Sequence, residues 1–156
     1  MGKIAMIAAL CLLCMFPAAA SGAQSDNCKF LDGIFHGHVK QSGEICQVAV
    51  PRKLPLLLMG TKVAPEMADI EFGANFEPAG GKTALIGEFA LLPEEVNPVI
   101  DALRKGGVEV SAIHNHMIGE QPRLLFLHFQ SVGELGALAN TVKSAIEAAG
   151  KATRPE

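Results

Sequence analysis

The chain has 156 residues, with 13 lysines and arginines against 16 aspartates and glutamates, for a formal net charge of −3. No basic run stands out, which argues against nucleic acid and anionic lipid as partners. Tyrosine and tryptophan are absent, which argues weakly against a carbohydrate-stacking surface.

The first residues read as a targeting segment. Lys3 is the positive n-region, Ile4 to Phe16 the apolar core, and Pro17 with the small residues Ala18 to Ala23 the cleavage zone. Cutting is expected after Ala20 or Ala23, giving a signal peptide over 1–23 and a single domain over 24–156. The apolar run is short for a membrane span. Leu10 precedes Cys11 and Leu13 precedes Cys14, so neither cysteine has the small preceding residue of a lipoprotein site. The expectation is a soluble periplasmic or secreted protein with no membrane association after cleavage. About 130 residues remain, enough for one modest core.

Cys28 and Cys46 survive that cleavage, and an even pair in an exported chain is most simply a disulfide. The alternative is a thiolate site with His36 and His38, whose FHGH spacing suits chelation. With a disulfide, those two histidines become exposed loop residues among Gly33, Gly37 and Gly43.

Glu44 to Val50 alternates as a strand and ends at Pro51. Leu54 to Met59 is a short or edge element between Pro55 and Gly60. Ala68 to Phe76 sets Ile70, Phe72, Ala74 and Phe76 against Asp69, Glu71, Gly73 and Asn75, a half-buried strand. Pro78 to Lys82 turns the chain, and Thr83 to Leu91 returns. Pro93, Glu94 and Glu95 open a helix with Val96, Val99, Ile100 and Leu103 as its apolar stripe, closed by Gly106 and Gly107. A second helix is expected over Gly133 to Ala149, ended by Gly150, with Lys151 to Glu156 as a frayed tail. The predicted class is α+β: a mainly antiparallel sheet with two helices packed on one face, its C-terminal part a β-α-β-β-α ferredoxin-like half.

Between those helices lies SAIHNHMIGEQPRLLFLHF, Ser111 to Phe129, which holds three of the five histidines. It reads as two strands joined near Gly119 and Pro122. Val108, Val110, Ala112, His114 and His116 alternate onto one face, so His114 and His116 are placed to share one ion. His128 joins them or misses them by a register shift of one residue. The candidate metal ligands are therefore His114, His116 and His128. Glu88, Asn115 and Arg123 are the further candidate binding residues, Glu88 as ligand or orienting carboxylate and Arg123 as a holder of an anionic group. The same histidines also suit a hydrogen-bonded core role, His128 above all. Asn115 between two histidines does not make a nuclease motif.

Gly87 to Phe129 resembles the core of the LppY/LpqO family of exported bacterial proteins. The resemblance rests on EEVNPV at Glu94 to Val99, HNHM at His114 to Met117, EQPR at Glu120 to Arg123, and His128, with VAVPR at Val48 to Arg52 and FEPAGGK at Phe76 to Lys82 upstream. Family members often resemble two tandem copies of this unit, whereas this chain has one. That implies a homodimer, with Leu54 to Met59 as a candidate contact.

Three functional expectations follow. The first is an exported protein binding a divalent transition metal, zinc or copper, through the histidine hairpin. The second is a small-ligand or partner-binding module with structural histidines and no cofactor. The third is a metal-dependent hydrolase with Glu88 or Glu120 as base. No serine or cysteine nucleophile motif is present, and no catalytic residue is assigned.

Overall fold

A computed structural model describes residues 24–152. The expected signal peptide over 1–23 and the end of the tail lie outside the described residues. Among the described residues no helix is long and apolar enough to cross a membrane.

The chain opens on a helix absent from the sequence reading, α1 (Asp26–Phe35). Ser25 caps it, its Oγ accepting from the Cys28 amide at 3.3 Å. Cys28, Leu31 and Phe35 recur at helical spacing and are buried. His36 ends the helix in the left-handed region and, like His38, is exposed. The expected disulfide is present: Cys28 is joined to Cys46. It ties α1 to the sheet, and its closed loop contributes about 3 kcal/mol in the chain-entropy account.

Next come β1 (Val39–Ser42) and β2 (Ile45–Pro51), then a small hairpin of β3 (Leu56–Leu58) and β4 (Thr61–Val63). A 3₁₀ turn over Pro65–Ala68 leads into β5 (Glu71–Ala79) and β6 (Lys82–Leu91). The expected helix is a 3₁₀ turn at Pro93–Glu95 continued by α2 (Val96–Lys105). The chain closes with β7 (Glu109–Asn115), β8 (Leu125–Gly133) and α3 (Leu135–Ala152). Gly150 does not end that last helix, which runs through it to Ala152.

Six strands make one antiparallel-paired sheet in the order β1-β2-β5-β6-β8-β7. The α+β class is as expected, with three helices among the described residues rather than the expected two. Because β8 pairs antiparallel with both β6 and β7, those two run parallel on either side of it. That is the split β-α-β of a ferredoxin-like half.

The helices cover one face. Phe76, Leu85, Phe89, Leu127 and Phe129 rise from the strands to meet Leu31, Val99, Leu103, Leu138 and Val142. Phe89 makes edge contacts with Phe72 and Phe129, at centroid separations of 5.0 and 4.9 Å. Gly87 is required there, since a Cβ at that position would lie 2.1 Å from the Phe129 ring.

Among the described residues the opposite face is covered only at one end. Leu56, Ile70, Ala90, Leu124 and Phe126 form a second small core beneath β3 and β4. Two backbone bonds between Leu57 and Gln121 join that hairpin to the β7–β8 connection. Beside it, Arg52 and Glu95 are buried as a bidentate pair, at 2.7 and 2.6 Å. Arg52 also donates to the Ala90 carbonyl, and Glu95 accepts from the Leu92 amide. The rest of this face is open.

Candidate metal centre

The expected single face of β7 is broken by a bulge. Val110 pairs with Phe129, but the next partners are Ala112 and His128, so Ser111 is the extra residue. Val110 therefore packs against the helix-side core, while Ala112 and His114 turn to the open face. Uninterrupted pairing from Val110 would have set Ser111 opposite His128 and separated His128 from His114. The bulge is what brings the two imidazoles together.

Glu88 lies directly opposite His128 on β6. The three side chains converge: Nε2 of His114 is 2.9 Å from Nε2 of His128, and Nε2 of His128 is 3.0 Å from Oε2 of Glu88. One potential ligand atom from each lies within 4.8 Å of the others. Zinc–nitrogen and zinc–oxygen bonds near 2.1 Å place neighbouring donors of a tetrahedral site about 3.4 Å apart. Two of the three separations, at 2.9 and 3.0 Å, lie near that spacing.

Hydrogen bonding sets His114 in ligand-ready form. The Asn115 carbonyl only accepts, so Nδ1 of His114, 3.0 Å away, carries the proton and Nε2 presents its lone pair. Such a carbonyl contact commonly orients a metal-binding histidine. A proton on Nε2 of His128 satisfies both neighbours, since Glu88 and His114 then both accept from it. An ion would take that proton's place.

His116 does not join this group. It lies just past β7, where its amide bonds to the Leu124 carbonyl. Its Nδ1–H donates to Oε2 of Glu120 at 2.7 Å, and its ring stacks on Phe126 at 4.3 Å. Glu120 is buried and also accepts from the Met117 and Leu124 amides, both at 3.2 Å. Arg123 donates from Nε and Nη2 to Oδ1 of Asn115, at 3.0 and 2.6 Å, on the exposed rim. Asn115 thus contributes its carbonyl to His114 and its side chain to Arg123. His36 and His38 lie between α1 and β1, and β1 is at the edge of the sheet opposite β7.

A groove of about 350 Å³ runs from Glu88 and His128 across β5 and β6, lined by Asp69, Glu71, Gly73, Asn75 and Ile86. Burial raises the Glu71 carboxyl above the ordinary glutamate range, and Asp69 and Glu88 push it the same way against the opposing pull of Lys40. Asp69 and Glu71 had no motif to mark them. Their only sequence signal is period-two alternation, which placed both on the face opposite Phe72.

No curated protein and no solved structure matches the chain. Residues 29–148 match the family described as Domain of Unknown Function (DUF1259), and the chain belongs to that family.

Proposed function

We propose that this is an exported protein of the LppY/LpqO type that binds a divalent transition metal through Glu88, His114 and His128. One observation carries the reading: two imidazole nitrogens and a carboxylate oxygen from three adjacent strands converge within 4.8 Å. Two histidines and one carboxylate form a donor set that zinc, copper and iron all accept. Export is supported by the N-terminal segment and by the Cys28–Cys46 disulfide.

Calorimetry with zinc and copper tests the site. Wild type should bind, and His114→Ala/His128→Ala should not, with its melting temperature kept. His36→Ala/His38→Ala should bind as wild type does. Equal affinity in the His114/His128 variant would make these histidines structural and favour a ligand-binding module that ignores chelators.

A metal-dependent hydrolase is the second reading. Glu88 and His128 retain 42% and 34% side-chain exposure, so three protein donors would leave a position open to water. Metal-dependent turnover of simple esters, lost on chelation, separates it from a binder.

A further inference from the structure

The metal reading leaves one sequence motif unused: FEPAGGK, Phe76 to Lys82. It closes the β5–β6 hairpin, where Ala79 pairs with Lys82 and only Gly80 and Gly81 lie between. Both glycines have positive φ, at 56° and 79°, as a tight two-residue hairpin turn demands. The turn therefore presents bare backbone. Register carries it to the start of α3. Thr83, next after Lys82, lies opposite Gly133 at the end of β8, and α3 begins at Leu135. There a cleft of about 390 Å³ opens, with Asn27, Gly81, Lys82, Thr83, Glu134 and Leu135 in its lining.

Two independent features point into that cleft. The first is the start of α3, a helix of 18 residues. Its first bond runs from the Leu138 amide to the Glu134 carbonyl, at 3.0 Å. Among the described residues the Leu135, Gly136 and Ala137 amides have no protein acceptor, whereas α1 is capped by Ser25. Three donors and the positive end of the helix dipole are left for a ligand. The second is Thr83, which is only 7% exposed. Its hydroxyl has no hydrogen-bond partner among the described residues. No side-chain oxygen shut away from solvent lacks a partner there, and Thr83 lines this cleft, so the hydroxyl reaches into it.

Lys82 and Glu134 are the two charged residues in the lining. Asp26 and Lys29, on either side of Asn27, pair with each other at 3.1 Å. Glu134 is exposed, and its carboxylate takes none of the first-turn amides, so it weakens the hold on an anion without filling its place.

We propose that this cleft binds a tetrahedral oxyanion, a phosphate either free or as a small monoester, on the α3 amides, the Thr83 hydroxyl and the Lys82 ammonium. Donors come from helix, strand and turn, so oxygens in a tetrahedral array meet all of them and a planar carboxylate meets fewer. Thr83 shares the helix-covered face of β6 with Leu85 and Phe89, and Glu88 alternates to the open face. The cleft is thus independent of the histidine cluster and of the metal reading.

Amide NMR of the mature protein, without added metal, tests this with inorganic phosphate, methyl phosphate and acetate at neutral pH and fixed ionic strength. Phosphate should give saturable shifts centred on Gly81, Lys82, Leu135 and Gly136, and acetate should bind more weakly. Methyl phosphate binding as tightly as phosphate identifies a monoester as the source, and weaker binding identifies the free ion. Thr83→Val keeps the side-chain shape without the hydroxyl and should weaken phosphate about fivefold, the loss of one charge-assisted bond in an open site. Thr83→Ser should restore it, Lys82→Ala should weaken it to a similar extent, and Glu134→Gln should strengthen it. The proposal is overturned by shifts that never saturate, by shifts centred on Asn115 and Arg123, by acetate binding as tightly as phosphate, or by Thr83→Val binding as wild type does. If Thr83→Val melts early, Thr83→Ala against Thr83→Ser makes the same comparison with the same expectation.

Discussion

Neighbouring residues on β8 face opposite worlds. Phe129 and Leu127 point into the helix-covered core and are fully buried, whereas His128 between them points to the open face with Glu88 and His114. One face of the sheet is closed by three helices and a disulfide. The other is closed only at the β3–β4 end, and beyond that end it holds the convergent polar groups. Stability and chemistry have been assigned to opposite sides of the same strands. A substitution on one face should therefore leave the property of the other intact.

The sharpest test of that division is a pair of single-residue changes one position apart. Phe129→Ala removes a ring that fills the space above Gly87 and contacts Phe89 at 4.9 Å. It should cost about 3–5 kcal/mol in denaturant unfolding. His128→Ala removes a half-exposed side chain from the open face and should change stability by no more than about 0.5 kcal/mol, while metal binding is lost. A His128→Ala cost comparable to that of Phe129→Ala would mean the histidine cluster is part of the core.

The disulfide sharpens the comparison next. It anchors α1 to β2 on the covered side only. Cys28→Ser/Cys46→Ser should lower unfolding free energy by about 3 kcal/mol, with zinc affinity measured well below the melting temperature unchanged. Weaker zinc binding in the fully folded double variant would show that the two faces are coupled.

The covered face was largely legible in the sequence. Period-two alternation through Phe72, Ala74 and Phe76 and the glycine and proline punctuation around β5, β6 and α2 mark elements whose residues agree with their places. α1 is harder to see, although Ser25 and the Cys28, Leu31, Phe35 spacing announce it, because the glycines at 33 and 37 favour a loop there. The open face was legible only in part. His114 and His128 meet because of a bulge at Ser111, and a bulge on an exposed edge strand has no residue signature. Uninterrupted alternation groups His116 with His114, but the strand ends before it. The Arg52–Glu95 pair joins residues 43 apart in sequence, and a helix-dipole role was the only local reason to notice Glu95.

The smallest effect expected belongs to the groove. Glu71 has its carboxyl raised above the ordinary value of 4.5, first by burial and then by Asp69, with Glu88 adding to the push and Lys40 opposing it. A raised carboxyl means the folded protein holds that proton more firmly than the unfolded chain does. Its stabilising contribution is therefore complete below the unfolded value and disappears as pH rises through the raised one. At neutral pH the wild type carries a carboxylate that the fold disfavours, and Glu71→Gln relieves it. The variant should melt higher than wild type at pH 7, by on the order of a degree because the group is largely solvent-screened. The gap should close as pH falls below about 4.5, where both side chains are neutral. Melting curves between pH 4 and pH 7 measure this directly. A variant less stable than wild type at neutral pH would show that Glu71 makes favourable contacts as a carboxylate, and that the groove is less crowded with negative charge than its lining implies.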